Sequence, residues 1–102
     1  MYCWAGNILH IDLAKKKTWV EELPRGLGAR FLGARGINAK LLWDLIGKPG
    51  IDPFGPENVL IFGAGTLTGT VAPSSGRTTV TCKGPATGLY LKSSMGGHWG
   101  AE

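Results

Sequence analysis

The stretch that most constrains this chain runs from Gly63 to Arg77 and reads Gly-Ala-Gly-Thr-Leu-Thr-Gly-Thr-Val-Ala-Pro-Ser-Ser-Gly-Arg. An apolar run, Val59-Leu60-Ile61-Phe62, enters it and a β-branched run, Thr78-Thr79-Val80-Thr81, leaves it, so the pattern predicts a long loop slung between two strands. Loops of this length are uncommon in compact domains unless they carry function. Glycines at 63, 65, 69 and 76 allow positive φ and let a ligand approach main-chain N–H groups closely. Thr66, Thr68, Thr70, Ser74 and Ser75 add hydroxyl donors, and Arg77 closes the stretch with a planar cationic fork suited to phosphate. The expected chemistry is a cradle for a phosphate or a polar ring. The competing reading is an irregular surface loop that binds nothing.

The rest of the chain supplies a frame for that loop. Asn7 to Leu13 alternates Ile8, His10 and Asp12 against Leu9, Ile11 and Leu13, and Thr18 to Glu22 resumes an extended pattern after Lys15-Lys16-Lys17, which predicts a β-hairpin. His10 and Asp12 share its wet face, which accounts for them without a ligand, while Trp4 and Trp19 are expected to cover the apolar side. Leu27, Phe31 and Leu32 recur at helical spacing, Gly33-Ala34-Arg35-Gly36 interrupts, and Ile37, Leu41 and Leu45 form a second stripe with Asn38 and Lys40 on more polar faces. Two short helices meeting at a glycine turn follow, stopped by Gly47-Lys48-Pro49-Gly50 and a rigid connector, Asp52-Pro53-Phe54-Gly55-Pro56.

Strands are then expected over Asn58–Phe62, Thr78–Cys82 and Leu89–Leu91, with Lys83 to Gly88 as a tight turn. If the last two strands pair as a hairpin, Arg77 and a turn from Ser94 to Gly97 emerge at one end of the sheet, with His98 nearby. The fold class is α+β: an N-terminal β-hairpin, two short helices, then a small antiparallel sheet with long glycine-rich loops. Gly63-Ala64-Gly65 starts like a dinucleotide-binding fingerprint, but the third position falls on Thr68 and no helix follows.

Composition narrows the classes. The 102 residues suit one small domain or part of one, and the 17 glycines far exceed the usual ~7% without any collagen-like period. A formal charge of +4 comes partly from the three-lysine turn and forms no basic face with interleaved aromatics, so no nucleic-acid partner is expected. Cys3 and Cys82 are too few and too far apart in sequence for a zinc or iron–sulfur ligand set; they are expected to be reduced, with one disulfide left open. No secretory h-region and no apolar run of ~20 residues is present, so no membrane partner and a cytoplasmic location are expected.

Five ordered motifs together resemble the start of an aldehyde ferredoxin oxidoreductase. They are Trp4-Ala5-Gly6-Asn7-Ile8-Leu9-His10-Ile11-Asp12-Leu13, Phe31-Leu32-Gly33-Ala34-Arg35-Gly36, Asp52-Pro53-Phe54-Gly55-Pro56-Glu57-Asn58, Gly65-Thr66-Leu67-Thr68-Gly69-Thr70 and Met95-Gly96-Gly97-His98-Trp99-Gly100. The resemblance implies an enzyme in which two pterin molecules hold tungsten, sometimes molybdenum, with a magnesium ion bridging their phosphates and a [4Fe-4S] cluster passing electrons to ferredoxin. It implies that residues 1–102 form a single partial domain, the first half of the family's N-terminal pterin-binding domain. By that similarity Arg77 would lie between pterin and cluster, and Gly96 and Gly97 would bring main chain against the pterin. Ser94 stands where many members carry an asparagine whose main-chain carbonyl helps hold the magnesium, and Met95 replaces a commoner serine.

The same resemblance sets limits. The family's cluster cysteines and substrate cavity fall outside this stretch, so no catalytic residue is expected here and the chain alone is not expected to hold the cluster. The expected role is a pterin-cradling portion, as fragment or small subunit, of a tungsten- or molybdenum-dependent aldehyde:ferredoxin oxidoreductase. Its partner would be the remaining polypeptide or a partner subunit, with oligomeric state left open. A standalone remnant acting as a cofactor-free structural or interaction module is the alternative, and a general phosphate or nucleic-acid binder is a third reading.

Overall fold

A computed structural model of the chain describes residues 4–102; Cys3 therefore lies outside the described residues, and Cys82 is a half-buried thiol in a strand. The alternating N-terminal segment forms β1 (Asn7–Asp12), paired antiparallel with β2 (Lys17–Glu22). Asp12 turns the chain between them: its carboxylate accepts from the N–H groups of Ala14 and Lys15, both at 3.1 Å. The register sets Leu9 opposite Val20 and Ile11 opposite Thr18 on one face, His10 opposite Trp19 on the other.

The two tryptophans are not where the sequence suggested. Trp19 stacks flat on His10, centroids 5.0 Å apart, on the polar face, where His10 also meets Glu21 at 2.8 Å. Cross-strand pairing forces this, because residues directly opposite share a face. Trp4 leaves the hairpin altogether, lying against Gly28 and donating its indole N–H to the Leu32 carbonyl at 2.7 Å.

Pro24 precedes α1 (Arg25–Phe31), and α2 follows at Ala34–Ile46, closed by Gly47 at φ 70°. The interruption is narrower than the sequence implied. Only Leu32 and Gly33 separate the helices: Leu32 stands at φ 68°, ψ −70°, with the Gly33 N–H donating to the Phe31 carbonyl at 2.9 Å, a γ-turn. Gly33 then starts the next ladder by accepting from Gly36, so Ala34, Arg35 and Gly36 already belong to α2. The buried stripe differs too: Asn38 and Leu42 face inward, whereas Ile37 and Leu41 are half-buried and Leu45 is exposed.

Three strands make the second sheet in the order β3 (Ile61–Ala64), β4 (Thr78–Lys83), β5 (Tyr90–Met95), all antiparallel. The arrangement of hairpin, helix pair and antiparallel sheet is the α+β architecture the sequence indicated. β4 is central; Thr79 and Thr81 are buried beneath α2, while Thr78, on the opposite face, is buried against Gly100. The first strand starts later than expected because Asn58 substitutes for backbone pairing. Its side-chain amide donates to the Lys83 carbonyl at 3.0 Å and accepts from the Lys83 N–H at 3.2 Å. At the other end Gly63 and Ala64, expected in the loop, pair with Thr79 and Thr78. Leu23, Leu42 and Ile51 are the buried apolar residues among those described. Among the described residues no helix is long and apolar enough to cross a membrane.

Candidate functional site

The register of the second sheet decides what stands at its open end. Thr78 pairs with Met95, so Arg77, one residue before, and Gly96, one residue after, leave the sheet side by side. The two turns lie close together: a Cβ on Gly76 would stand 3.5 Å from the Gly97 carbonyl oxygen. Gly97 sits at φ +103°, a conformation that L side chains rarely adopt, and a Cβ on Gly96 or Gly97 would point into open space. Arg77 is exposed and, among the described residues, forms no ion pair.

Ser94 and Met95 are strand residues, not turn residues as the sequence suggested. β5 extends through both, with Ser94 half-buried opposite Thr79 and Met95 exposed opposite Thr78. The sequence signal was the pair of serines and a methionine before two glycines, which reads as a turn until the partner strand is known. All five expected positions, Arg77, Ser94, Met95, Gly96 and Gly97, nevertheless stand at one end of one strand pair. His98 follows them, exposed, and opens a 3-10 turn at Trp99–Ala101.

The loop hydroxyls do not line a cradle in the way the sequence suggested. Thr68 donates to the Ser75 carbonyl at 2.7 Å, Thr70 to the Leu67 carbonyl at 2.5 Å, and Ser75 to the Leu67 and Ala72 carbonyls at 3.0 and 2.7 Å. These donors are used to fold the loop on itself, which fits the rule that polar groups in irregular backbone seek local partners. Gly76 and Arg77 are exposed at the end of the loop, as are Leu67, Thr70 and Val71 further back along it. The 3-10 turn lies beside it: a Cβ on Gly69 would stand 3.4 Å from the Ala101 carbonyl oxygen, and Gly100 is so close to Thr78 that a side chain there would collide.

Among the described residues, no three His, Cys, Asp or Glu side chains cluster in a way that could hold a metal. The polar equipment of this end is one cation, a set of glycine main-chain groups and the strand backbone at Ser94 and Met95. Such an arrangement is chemically suited to an anionic, flat or phosphorylated group, through charge and close backbone approach. Sequence reasoning missed the closeness of Gly76 to Gly97 and the packing of residues 99–101 beside the loop, for which sequence spacing carries no signal.

Comparison with known proteins agrees with the motifs. Residues 8–102 match the family model described as aldehyde ferredoxin oxidoreductase, N-terminal domain. The whole chain is 41% identical to a tungsten-containing aldehyde ferredoxin oxidoreductase of Pyrococcus furiosus and 42% identical to one of Thermococcus kodakarensis, in each case spanning 17% of the relative's length. It is also 31% identical to an aliphatic sulfonate oxidoreductase, WOR-like subunit, of Pyrococcus furiosus, spanning 16% of that protein. Among solved structures, it matches a chain of the active site complex BamBC of benzoyl coenzyme A reductase in complex with 1,5-dienoyl-CoA. That match has a TM-score of 0.95 at 42% identity and covers 99% of this chain and 15% of the other. The chain thus spans about one-sixth of the length of the relatives it matches.

Proposed function

Because the chain belongs to the aldehyde ferredoxin oxidoreductase N-terminal domain family, we propose that it is the pterin-cradling portion of a tungsten- or molybdenum-dependent aldehyde:ferredoxin oxidoreductase. The observation that carries the reading is the pairing of Thr78 with Met95, which sets Arg77 beside Gly96 and Gly97. The residues present fit such a cofactor. Gly96 and Gly97 have open space where a side chain would stand, and Arg77 is exposed without an ion pair among the described residues.

In this reading Arg77 would donate hydrogen bonds to the anionic cofactor and offset its charge, since a guanidinium suits planar, multiply charged acceptors. Gly96 and Gly97 would let main chain approach the pterin, and the main-chain carbonyl of Ser94 would help hold a magnesium ion. Met95 positions that carbonyl and the glycine turn as the last paired residue of β5. The metal–pterin group supplies the redox chemistry when bound. The [4Fe-4S] cluster and the substrate cavity belong to the remaining polypeptide, which works with ferredoxin in the cytoplasm, and residues 1–102 act as one partial domain.

The test is reconstitution. The chain is purified alone and after assembly with the remaining portion of a relative, and tungsten or molybdenum and released pterin are measured. Metal and pterin in the assembly are the expected result. A folded assembly holding neither overturns the reading and favours a cofactor-free interaction module.

A further inference from the structure

Arg77 follows a glycine and precedes the first paired residue of β4, so the main chain that carries it is a soft joint unless something outside the sheet holds it. Among the described residues, no main-chain hydrogen bond outside the helices and strands involves residues 71–77. Hydroxyl groups take that place. The Thr68 hydroxyl donates to the Ser75 carbonyl at 2.7 Å, and the Arg77 carbonyl lies 3.4 Å from the same oxygen. A hydroxyl carries one hydrogen, so the short bond goes to Ser75 and the Arg77 carbonyl is the second acceptor in reach; the two acceptors flank Gly76. In the other direction the Ser75 hydroxyl donates to the Leu67 carbonyl at 3.0 Å. Thr68 is itself fixed: it is half-buried, its N–H donates to the Gly65 carbonyl at 3.1 Å, and a Cβ on Gly100 would stand 3.5 Å from its methyl carbon. Gly65 leaves room for this arrangement, since a Cβ there would stand 3.3 Å from the Thr68 hydroxyl oxygen.

We infer that Thr68 is a positioning residue for Arg77: its hydroxyl clamps the main chain on both sides of Gly76 and so holds Arg77 at the place where Gly96 and Gly97 leave the sheet. The inference rests on the reading of Arg77 as a cofactor ligand and extends it to a residue that acts through Arg77. An arginine side chain is rich in rotamers, and a mobile main chain beneath it adds to the freedom lost when it engages an anion. A clamp made in advance removes that part of the cost, which is the general benefit of preorganisation. The hydroxyl and the methyl of Thr68 have separate tasks, because the first faces the carbonyls and the second lies near Gly100. They can therefore be removed one at a time.

Thr68→Val deletes the hydroxyl and keeps the shape, whereas Thr68→Ser keeps the hydroxyl and gives up the methyl. In the 102-residue chain, nitrogen-15 relaxation is expected to show the Gly76 and Arg77 amides more mobile in Thr68→Val than in wild type, with Thr68→Ser as in wild type. After assembly with the remaining portion of a relative, Thr68→Val is expected to retain about 3- to 10-fold less tungsten and pterin, the worth of one hydrogen bond, with retention restored in Thr68→Ser. In an Arg77→Ala background Thr68→Val is expected to cause no further loss, because two residues acting through one contact are not additive. An equal fold-loss with and without Arg77 would mean that Thr68 supports the fold at large and would overturn the inference. Unchanged mobility of both amides in Thr68→Val, or failure of Thr68→Ser to restore retention, would overturn it too. Thr68→Ala takes the place of Thr68→Val, under the same criteria, if far-UV circular dichroism shows the valine variant unfolded. A wild-type assembly that holds neither metal nor pterin defeats the cofactor reading alone; the clamp on Arg77 then stands or falls by the amide mobilities.

Discussion

The side-chain amide of Asn38 donates to the main-chain carbonyl of Thr79 at 3.1 Å, joining the middle of α2 to the central strand across 41 residues of sequence. Asn38 is 2% exposed, and the same nitrogen lies 3.4 Å from both the Ile61 carbonyl and the Thr81 hydroxyl. Thr81 in turn meets the Tyr90 hydroxyl at 3.2 Å, so one helix residue ties together all three strands that present Arg77 and Gly97. Opposite Asn38, Gly63 leaves the space its amide oxygen fills; a Cβ there would collide with it.

Replacing Asn38 with Ala leaves buried acceptors without their donor and is expected to lower stability by about 1 to 3 kcal/mol. Gly63→Ala is expected to cost a similar amount, roughly 1 to 3 kcal/mol, through overpacking. The two losses should not add, because removing the amide removes the obstacle to the Cβ. Urea unfolding of the two single variants and the double variant measures the coupling; simple additivity would show that Gly63 and Asn38 do not share the space described.

Asn58, just after the connector, holds it to the end of β4 by replacing a strand partner for Lys83. Asn58→Ala is expected to destabilise by about 1 to 3 kcal/mol and to speed amide exchange at Lys83 selectively. Unchanged exchange at Lys83 would contradict the role assigned to the amide.

Leu32 carries a γ-turn at φ 68° with its side chain 67% exposed, so little packing is lost if it is removed. Strain at such a position costs on the order of 1 to 3 kcal/mol, and a glycine relieves it at an entropic cost of roughly 0.5 to 1 kcal/mol. Leu32→Gly is therefore expected to be stabilising by about 1 kcal/mol. A clear loss of stability in urea would show that the side chain does more than tolerate the turn.

Arg77→Ala should change the stability of the isolated chain by less than about 0.5 kcal/mol, as exposed substitutions commonly do. In the complete assembly it should lower the tungsten and pterin retained after gel filtration. Gly97→Ala should also lower retention, but with a measurable loss of stability because alanine is strained at φ +103°. Full retention in both variants would remove Arg77 and the glycine turn from the cofactor site.

What the chain determined locally is legible from residue order. Alternation made the β1–β2 hairpin, Gly47 stopped α2, and the runs from Thr78 and Tyr90 made a strand pair whose open end carries Arg77 and Gly96. These features depend on neighbours a few residues apart, where side-chain periodicity and backbone preference act directly. Only the tertiary structure decided that Asn38, not Ile37, faces the sheet, that Trp19 lies with His10, and that Gly76 lies near Gly97. Each of those outcomes follows from which surface a distant segment offers: a carbonyl row on β3 and β4 gave a polar helix residue a buried place that apolar periodicity could not foresee, and pairing of Thr78 with Met95 set two separate turns against each other.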